Sequence, residues 1–378
     1  MSVLTETRYG NRRGSGCDLV KSHVLTKFKA GDKLPTEEEL SRMVGTTRYA
    51  ATRALTELSA EKLVQRRPGL GTIMASSMSN GKAERNGTEI AFMADEFESY
   101  MNAEIMRGID ARCREKGLRI SLLNSDYSCK EEEKHLKSLA SCGYNGAIAR
   151  IGEHNENFKI LEESVPPDYP LVLVDRQDKS ANFPCIGVNN EKAAYEAVKY
   201  LIQLGHKKIA YITYDETDRG VWGELRRREL GYRKALTESG IEVVESYIQG
   251  GKHLGPNAKP TEWYFDSLGY EPMSRLLLQK ERPTAVFLFH CYFAAGAFRA
   301  IRDHGLKVPD DISVISMDDA PVARYAPVPL TVMAQPLREM GSKAVDKLVE
   351  RVEGKIQLNE NILLDGTLIV RESTARVK

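Results

Sequence analysis

The chain has 378 residues, too many for one ordinary domain and enough for two or three units with sizeable cores. Hydrophobic residues at 42% and charged residues at 28% fit a globular protein rather than a disordered one, and no run of about 18 apolar residues offers a membrane span. The net charge of +1 hides a segregation: residues 1–87 hold 15 Lys and Arg against 9 Asp and Glu, a balance of +6, which leaves −5 for the rest.

A basic first quarter suggests a polyanionic partner, although a merely solvated basic surface has the same charge. Residues 1–16 read as a disordered tail with no apolar stretch of a signal peptide, so residence in the cytoplasm is expected. The six cysteines, Cys17, Cys113, Cys129, Cys142, Cys185 and Cys291, are scattered without C-x-x-C pairs or metal spacing, and read as reduced, mostly packing thiols.

Residues 17–75 form a small unit. Val20, Val24 and Phe28 recur at helical spacing, and Gly31 ends the helix. In "LPTEEELSRMVG", Thr36 and Glu39 make a capping box ahead of the stripe Leu40, Met43 and Val44, and Gly45 is the stop. Thr47 caps the next helix, whose Ala51, Ala54, Leu55 and Leu58 face a core while Arg48, Tyr49, Thr52, Arg53 and Thr56 face outward. Two short helices joined by a tight turn make a helix-turn-helix, whose second helix can enter the DNA major groove.

The stretch "QRRPGLGTI" then poses a choice between a phosphate-gripping loop and a hairpin tip. A phosphate loop needs a preceding strand, a G-K-[ST] ending and a following helix, none of which is present. It reads as a wing, with Arg66 and Arg67 at its base placed to meet phosphates or the minor groove.

From "LPTEEEL" to "RRPGLGTIM" the unit resembles the winged helix-turn-helix of the GntR family of bacterial transcription regulators. The resemblance implies base and phosphate contacts from Arg48 and Tyr49 and wing contacts around Gly69 and Gly71. The full DNA-facing set is then Thr36, Thr47, Arg48, Tyr49, Thr52, Arg53, Arg66, Arg67, Gly69 and Gly71. Two departures stand out: Glu38 occupies a place where the family often has arginine, and Thr52 another, with Arg53 one residue later.

Residues 76–87, "SSMSNGKAERNG", read as a linker. Residues 88–378 alternate apolar runs ("EIAFMA", "LRISLLN", "YPLVLVDR", "KKIAYIT", "TAVFLF", "DISVISMDD") with helical patterns, which predicts an α/β fold with parallel sheets covered on both faces. Ligands of such sheets sit beyond the carboxyl ends of the strands, where this chain has Arg150, Asp175, Arg176, Asp215, His290 and Asp318, with Tyr100, Trp222 and Tyr292 as aromatic neighbours. These groups suit a hydroxylated small molecule; taken singly, each aspartate could equally cap the next helix.

"VNNEKAAYEAVKYLIQLGHKKIAYIT", "GLKVPDDISVISMDD" and "PLTVMAQPLREMGSKAVDKLVERVEG" resemble the sensor of the LacI/GalR regulators, which is akin to periplasmic sugar-binding proteins. The resemblance implies two α/β lobes crossed by three strands, a homodimer on a pseudo-palindromic operator, and a carbohydrate effector in the cleft. By position, Asp175, Arg228 and Asp318 match the family's polar ligand contacts, joined in the candidate set by Tyr100, Arg150, Trp222 and His290. The departures lie at the cleft: His290 and Cys291 stand where the family shows Asn-Asp, and Ser316 and Met317 where it shows Gly-Phe. His290 is either a ligand contact or a substituted packing position. Trp263, Tyr264 and Phe265, within a long 249–272 segment, either cover the cleft or pack on a lobe.

No Walker, G-x-S-x-G or H-E-x-x-H motif occurs, so neither catalysis nor a metal or cofactor is expected. A transport binding protein would carry an export signal and no basic head. The reading is a DNA-binding regulator, a repressor by preference, controlled by a sugar or sugar derivative; an activator, or an orphan regulator with a degenerate cleft, would have the same architecture.

Overall fold

The computed structural model describes residues 16–29, 31–60, 63–67, 71–74, 89–152, 155–176, 183–215, 223–251, 261–355 and 361–377. The chain divides into two compact units, 1–83 and 84–378. The 76–87 segment lies outside the described residues, as does the expected tail except Gly16. That residue is already helical, packed so tightly that an added Cβ would meet the Thr46 hydroxyl.

The smaller unit consists of α1 (Gly16–Lys27), α2 (Glu37–Val44), α3 (Arg48–Ala60) and the antiparallel hairpin β1 (Val64–Arg67) and β2 (Gly71–Met74). Val20, Val24, Leu40, Ala51, Ala54, Leu55 and Leu58 form its core with Leu34, Val64 and Met74. The Thr36/Glu39 capping box is present, and Gly45 closes α2 in left-handed backbone at φ 68°, which a glycine adopts without strain. Met43 departs from expectation. It is 56% exposed, because the eight residues of α2 turn only Leu40 and the small Ser41 fully inward.

In the larger unit the elements in chain order are β3 (Glu89–Ala94), α4 (Tyr100–Glu115), β4 (Arg119–Asn124), α5 (Cys129–Ser138), β5 (Ala147–Ala149), α6 (Asn155–Ser164), β6 (Leu171–Val174), β7 (Cys185–Val188), α7 (Asn190–Gln203), β8 (Ile209–Tyr214), α8 (Gly223–Glu238), β9 (Ile248–Gly251), α9 (Glu262–Leu277), β10 (Ala285–Leu288), α10 (Ala294–Asp303), β11 (Ser313–Met317), α11 (Pro321–Tyr325), β12 (Thr331–Ala334), α12 (Leu337–Val352), β13 (Ile362–Leu364) and β14 (Thr367–Ile369). The strands make two six-stranded sheets, ordered β13-β7-β6-β5-β3-β4 in the first lobe and β14-β12-β11-β10-β8-β9 in the second. All pairings are parallel except β12 with β14, a short edge strand that arrives directly from the other lobe.

Their central strands are buried on both faces, as continuous apolar runs such as "LVLV" and "AVFL" require. The chain passes between lobes three times: after β7, after β12 and between β13 and β14. Helices close on one another at glycines. A Cβ on Gly108 of α4 would meet the Arg338 carbonyl, and one on Gly341 of α12 would meet the Ile105 carbonyl, so each helix fits the other only without a side chain there.

Candidate functional site

In the smaller unit, α3 presents Arg48, Tyr49, Thr52 and Arg53 outward, with Tyr49 77% exposed. Thr47 caps the helix by accepting the Ala50 N–H at 3.2 Å, which fixes where Arg48 starts. Glu57 tethers the inner edge of this face: Lys21 and Arg53 each reach it at 2.8 Å, and their hydrogen bonds pull its carboxyl down to about 2. Thr36 is occupied by its cap, donating to Glu39 Oε2 at 2.9 Å while its Oγ1 accepts the Glu39 amide. Glu38 pairs with Arg42 at 2.5 Å, which softens the repulsion its carboxylate would exert on a phosphate.

Arg66 and Arg67 lie in β1 opposite Thr72 and Gly71; Gly71 is left-handed at φ 91°, and Gly69 lies outside the described residues. One cation escaped the sequence reading. The segment around Lys33 joins the hairpin as a third short strand, with Leu34 N–H on Thr72 O at 2.8 Å and Met74 N–H on Asp32 O at 2.8 Å. This sets the Lys33 side chain against Gly71 at the root of the wing.

In the larger unit the strand ends of each lobe converge on charged groups. Arg150, after β5, donates through Nε to Asp175 Oδ2 at 2.9 Å and through Nη1 to both oxygens of Asp95 at 2.7 and 2.9 Å. All three are buried. Burial alone would raise the Asp95 carboxyl, but Arg150, Arg176 and the Asn102 amide hold it below its ordinary value. Beneath them Glu132 of α5 accepts the Gly152 N–H at 2.8 Å, and burial pushes its carboxyl up to about 7. Neither Asp95 nor Glu132 was among the sequence candidates, though Asp95 directly follows the apolar run "EIAFMA".

The second lobe supplies the opposite wall. Arg228 of α8 donates to Asn190 Oδ1 and to the Phe289 carbonyl, both at 2.7 Å, with its guanidinium 4.4 Å above the Phe289 ring. Burial and the Asp175 carboxylate raise Glu224, on the same helix, above its usual range. His290 opens the 3-10 turn Cys291–Phe293, and its Nε2 stands 3.4 Å from Asp318 Oδ2. Asp318 is 3% exposed and is hydrogen-bonded through Oδ1 by the Gln335 amide, next to the second crossing. Burial pushes Tyr292 up to about 12, while a hydrogen bond with the Tyr100 backbone of the other lobe pulls against that rise. Tyr100 itself packs against the cores of both lobes.

The comparisons bear on this geometry. Residues 18–74 match the family described as bacterial regulatory proteins, gntR family, and residues 198–374 the periplasmic binding protein-like domain. The HTH-type transcriptional regulator DegA of Bacillus subtilis is 31% identical over 287 residues, 76% of this chain and 80% of its own. The arabinose metabolism transcriptional repressor of Geobacillus stearothermophilus is 27% identical over 358 residues, 93% of this chain and 94% of its own. Among solved structures, the transcription regulator CcpA of Lactococcus lactis superposes with a TM-score of 0.64 at 28% identity, covering 76% of this chain and 99% of that one. The chain is a LacI-type transcriptional regulator with a GntR-type head.

In this LacI-type regulator Arg150, Asp175, Arg228, His290, Asp318 and Tyr100 all stand at strand ends or lobe faces of one unit, while Trp222 lies outside the described residues. Arg150 spends its Nε and Nη1 on Asp95 and Asp175. Its first role is to neutralise two buried carboxylates. In the 249–272 segment, Phe265 is 5.3 Å from the Tyr292 ring and 6.2 Å from His290, so this aromatic reaches the cleft wall; Tyr264 packs on the second-lobe core, and the side chain of Trp263 is outside the described set. The thiol of Cys291 is buried, and burial together with Asp318 raises it well above its ordinary value, which makes it a packing group rather than a reactive one. No helix among the described residues is long and apolar enough to cross a membrane.

Proposed function

We propose that the regulator is a homodimeric repressor of the cytoplasm, without catalytic activity, that binds a pseudo-palindromic operator through residues 17–75. Residues 76–87 serve as the linker, and residues 88–378 carry a cleft for a sugar or sugar derivative. The DNA contacts are assigned to the exposed face of α3 and to the wing, and the effector contacts to Asp175, Arg228, His290 and Asp318, flanked by Tyr100. The observation that carries this reading is the pairing of Asp175 and Asp318, one at the strand end of each lobe, within a fold otherwise matched to regulators.

The named metabolic role of the arabinose repressor, which aligns along almost the whole chain, supports a carbohydrate effector. Effector binding then favours one lobe arrangement and lowers operator affinity by its differential affinity for the two arrangements. A mobility-shift assay on DNA upstream of the regulator's own gene, titrated with salt and then with sugars, tests this. A steep loss of binding with salt and release by one sugar are the expected results; a salt slope near zero refutes the DNA reading.

A further inference from the structure

Among the arginines of α3, Arg53 is held by the fold before any DNA arrives; its significance rests on the reading of α3 as the helix that meets the duplex. Arg53 donates through Nε to Glu57 Oε1 at 2.8 Å, while its Nη1 and Nη2 make no hydrogen bond to any described residue. Glu57 is fixed in turn from α1. Its Oε2 accepts from Lys21 Nζ at 2.8 Å and from the buried Cys17 thiol at 3.7 Å. Exposure falls inward along this series, with the side chains 64% exposed at Arg53, 37% at Glu57 and 21% at Lys21.

The trio is a weak stabilising device. An exposed i,i+4 pair with the cation on the N-terminal side adds little to a helix, and surface ion pairs as a class contribute little. Its electrostatics suit a polyanion better. Arg53 and Glu57 alone would be neutral and would set a carboxylate against incoming phosphates; Lys21 leaves the trio with two cations against one carboxylate. Hydrogen bonds from Lys21 and Arg53 hold the Glu57 carboxyl at about 2, so these charges persist across physiological pH. Elsewhere on the face, the Thr52 and Thr56 hydroxyls turn back on Arg48 O at 3.0 Å and Thr52 O at 2.8 Å. Five residues along a helix turn about 140°, so Arg53 stands on the flank toward α1, well away from Arg48.

We propose that Glu57 is a positioning residue for DNA binding, which sets Arg53 as a two-pronged donor for one backbone phosphate. A guanidinium held through Nε keeps Nη1 and Nη2 available to donate side by side to two phosphate oxygens, and its rotamers are already narrowed when the duplex docks. Lys21, mostly buried, does not reach the phosphate itself. It offsets the Glu57 charge that would otherwise repel that phosphate.

Salt-titrated mobility shifts of the full-length protein, on duplex DNA from upstream of its own gene and on an unrelated duplex of equal length, test this. Simple charge counting expects Glu57→Ala to bind more tightly, since a carboxylate leaves the head. The positioning role instead predicts about three- to tenfold weaker binding to both duplexes. Arg53→Ala should lower the salt slope by about 1, and Arg53→Lys, which keeps the charge but loses the fork, should not restore the parent's affinity. In the Arg53→Ala background, Glu57→Ala should weaken binding no further, whereas a variant that merely unfolds the head would weaken it in both. Tighter or unchanged binding by Glu57→Ala, an equal loss in both backgrounds, full affinity in Arg53→Lys, or an Arg53→Ala effect confined to one duplex would each overturn the assignment while leaving DNA binding standing. A parent salt slope near zero on both duplexes would overturn both readings.

Discussion

Asp175 and Asp318 occupy matching places in the two lobes: each follows the buried strand next to a crossing strand, and both hold left-handed backbone, at φ 68° and 74°. Each also donates its backbone N–H to the neighbouring strand, Asp175 to Ile186 at 2.9 Å and Asp318 to Met333 at 3.0 Å. A non-glycine residue there costs on the order of 1 kcal/mol or more. Aspartate tolerates the conformation better than alanine, so Asp318→Ala should melt below Asp318→Gly. Both variants should still bind operator DNA and fail to respond to the effector; loss of DNA binding in the glycine variant would make Asp318 a structural residue instead.

Arg150 neutralises Asp95 and Asp175 together, and Arg150→Met takes the nearest cation from two buried carboxylates, leaving Asp95 only the more distant Arg176 at 3.6 Å and the Asn102 amide. Chemical denaturation should show a loss of about 3–5 kcal/mol. Adding Asp95→Asn to that variant should recover part of the loss, since one of the two stranded charges is then gone. A cost below about 1 kcal/mol would mean that the triad is far more hydrated than its burial indicates.

Glu132 makes stability depend on pH in a particular direction. Its folded carboxyl titrates at about 7 against an ordinary value of 4.5, because burial disfavours the charge. Between those values the folded chain holds a proton that the unfolded chain has released, so this contribution is fully present below pH 4.5 and lost as pH rises through about 7. Its size is on the order of 3 kcal/mol. Glu132→Gln should flatten the fall in melting temperature between pH 5 and 8, and an unchanged profile would assign the pH dependence to other groups.

On the DNA side, two of the head's cations, Arg48 and Lys33, are expected to have different duties. Arg48→Ala should remove sequence preference, at about 1–3 kcal/mol of discrimination, because it stands at the start of the exposed helix. Lys33→Ala should weaken binding to all sequences similarly and lower the salt slope by about 1. Reversal of these two phenotypes would place the wing, not α3, over the base edges.

Gly108 and Gly341 sit where α4 and α12 meet the backbone of each other. Alanine at either forces the helices apart, at a cost of roughly 1–3 kcal/mol for overpacking. The double variant should cost less than the sum of the two, since one separation relieves both; strict additivity would show that the contacts are independent.

Much of this organisation was legible in the sequence because it is written locally. The capping box at Thr36, the stop at Gly45, the alanine face of α3 and the apolar runs of both sheets each depend on neighbours a few residues away. The cleft chemistry was only partly legible. Arg150 and Asp175 could be placed at strand ends, but Asp95, 55 residues before Arg150, gives no sign of its partner until the sheet brings them together. Glu132 looked like any exposed helical glutamate among "KEEEK", and only its burial under Gly152 distinguishes it. Lys33 was passed over because a three-residue pairing with β2 carries no periodicity. Met43 was misjudged because a two-turn helix buries a narrower stripe than its pattern suggests.

The final pair of strands gives one edge to each sheet, with β13 beside β7 in the first lobe and β14 beside β12 in the second. Neither half of the receptor is consequently a piece of gene that one cut can release: no single break in the coding sequence separates the two lobes, because each sheet takes its last strand from beyond the other. Heat should dismantle them as one cooperative block, and an effector held by either lobe should protect the other through shared thread.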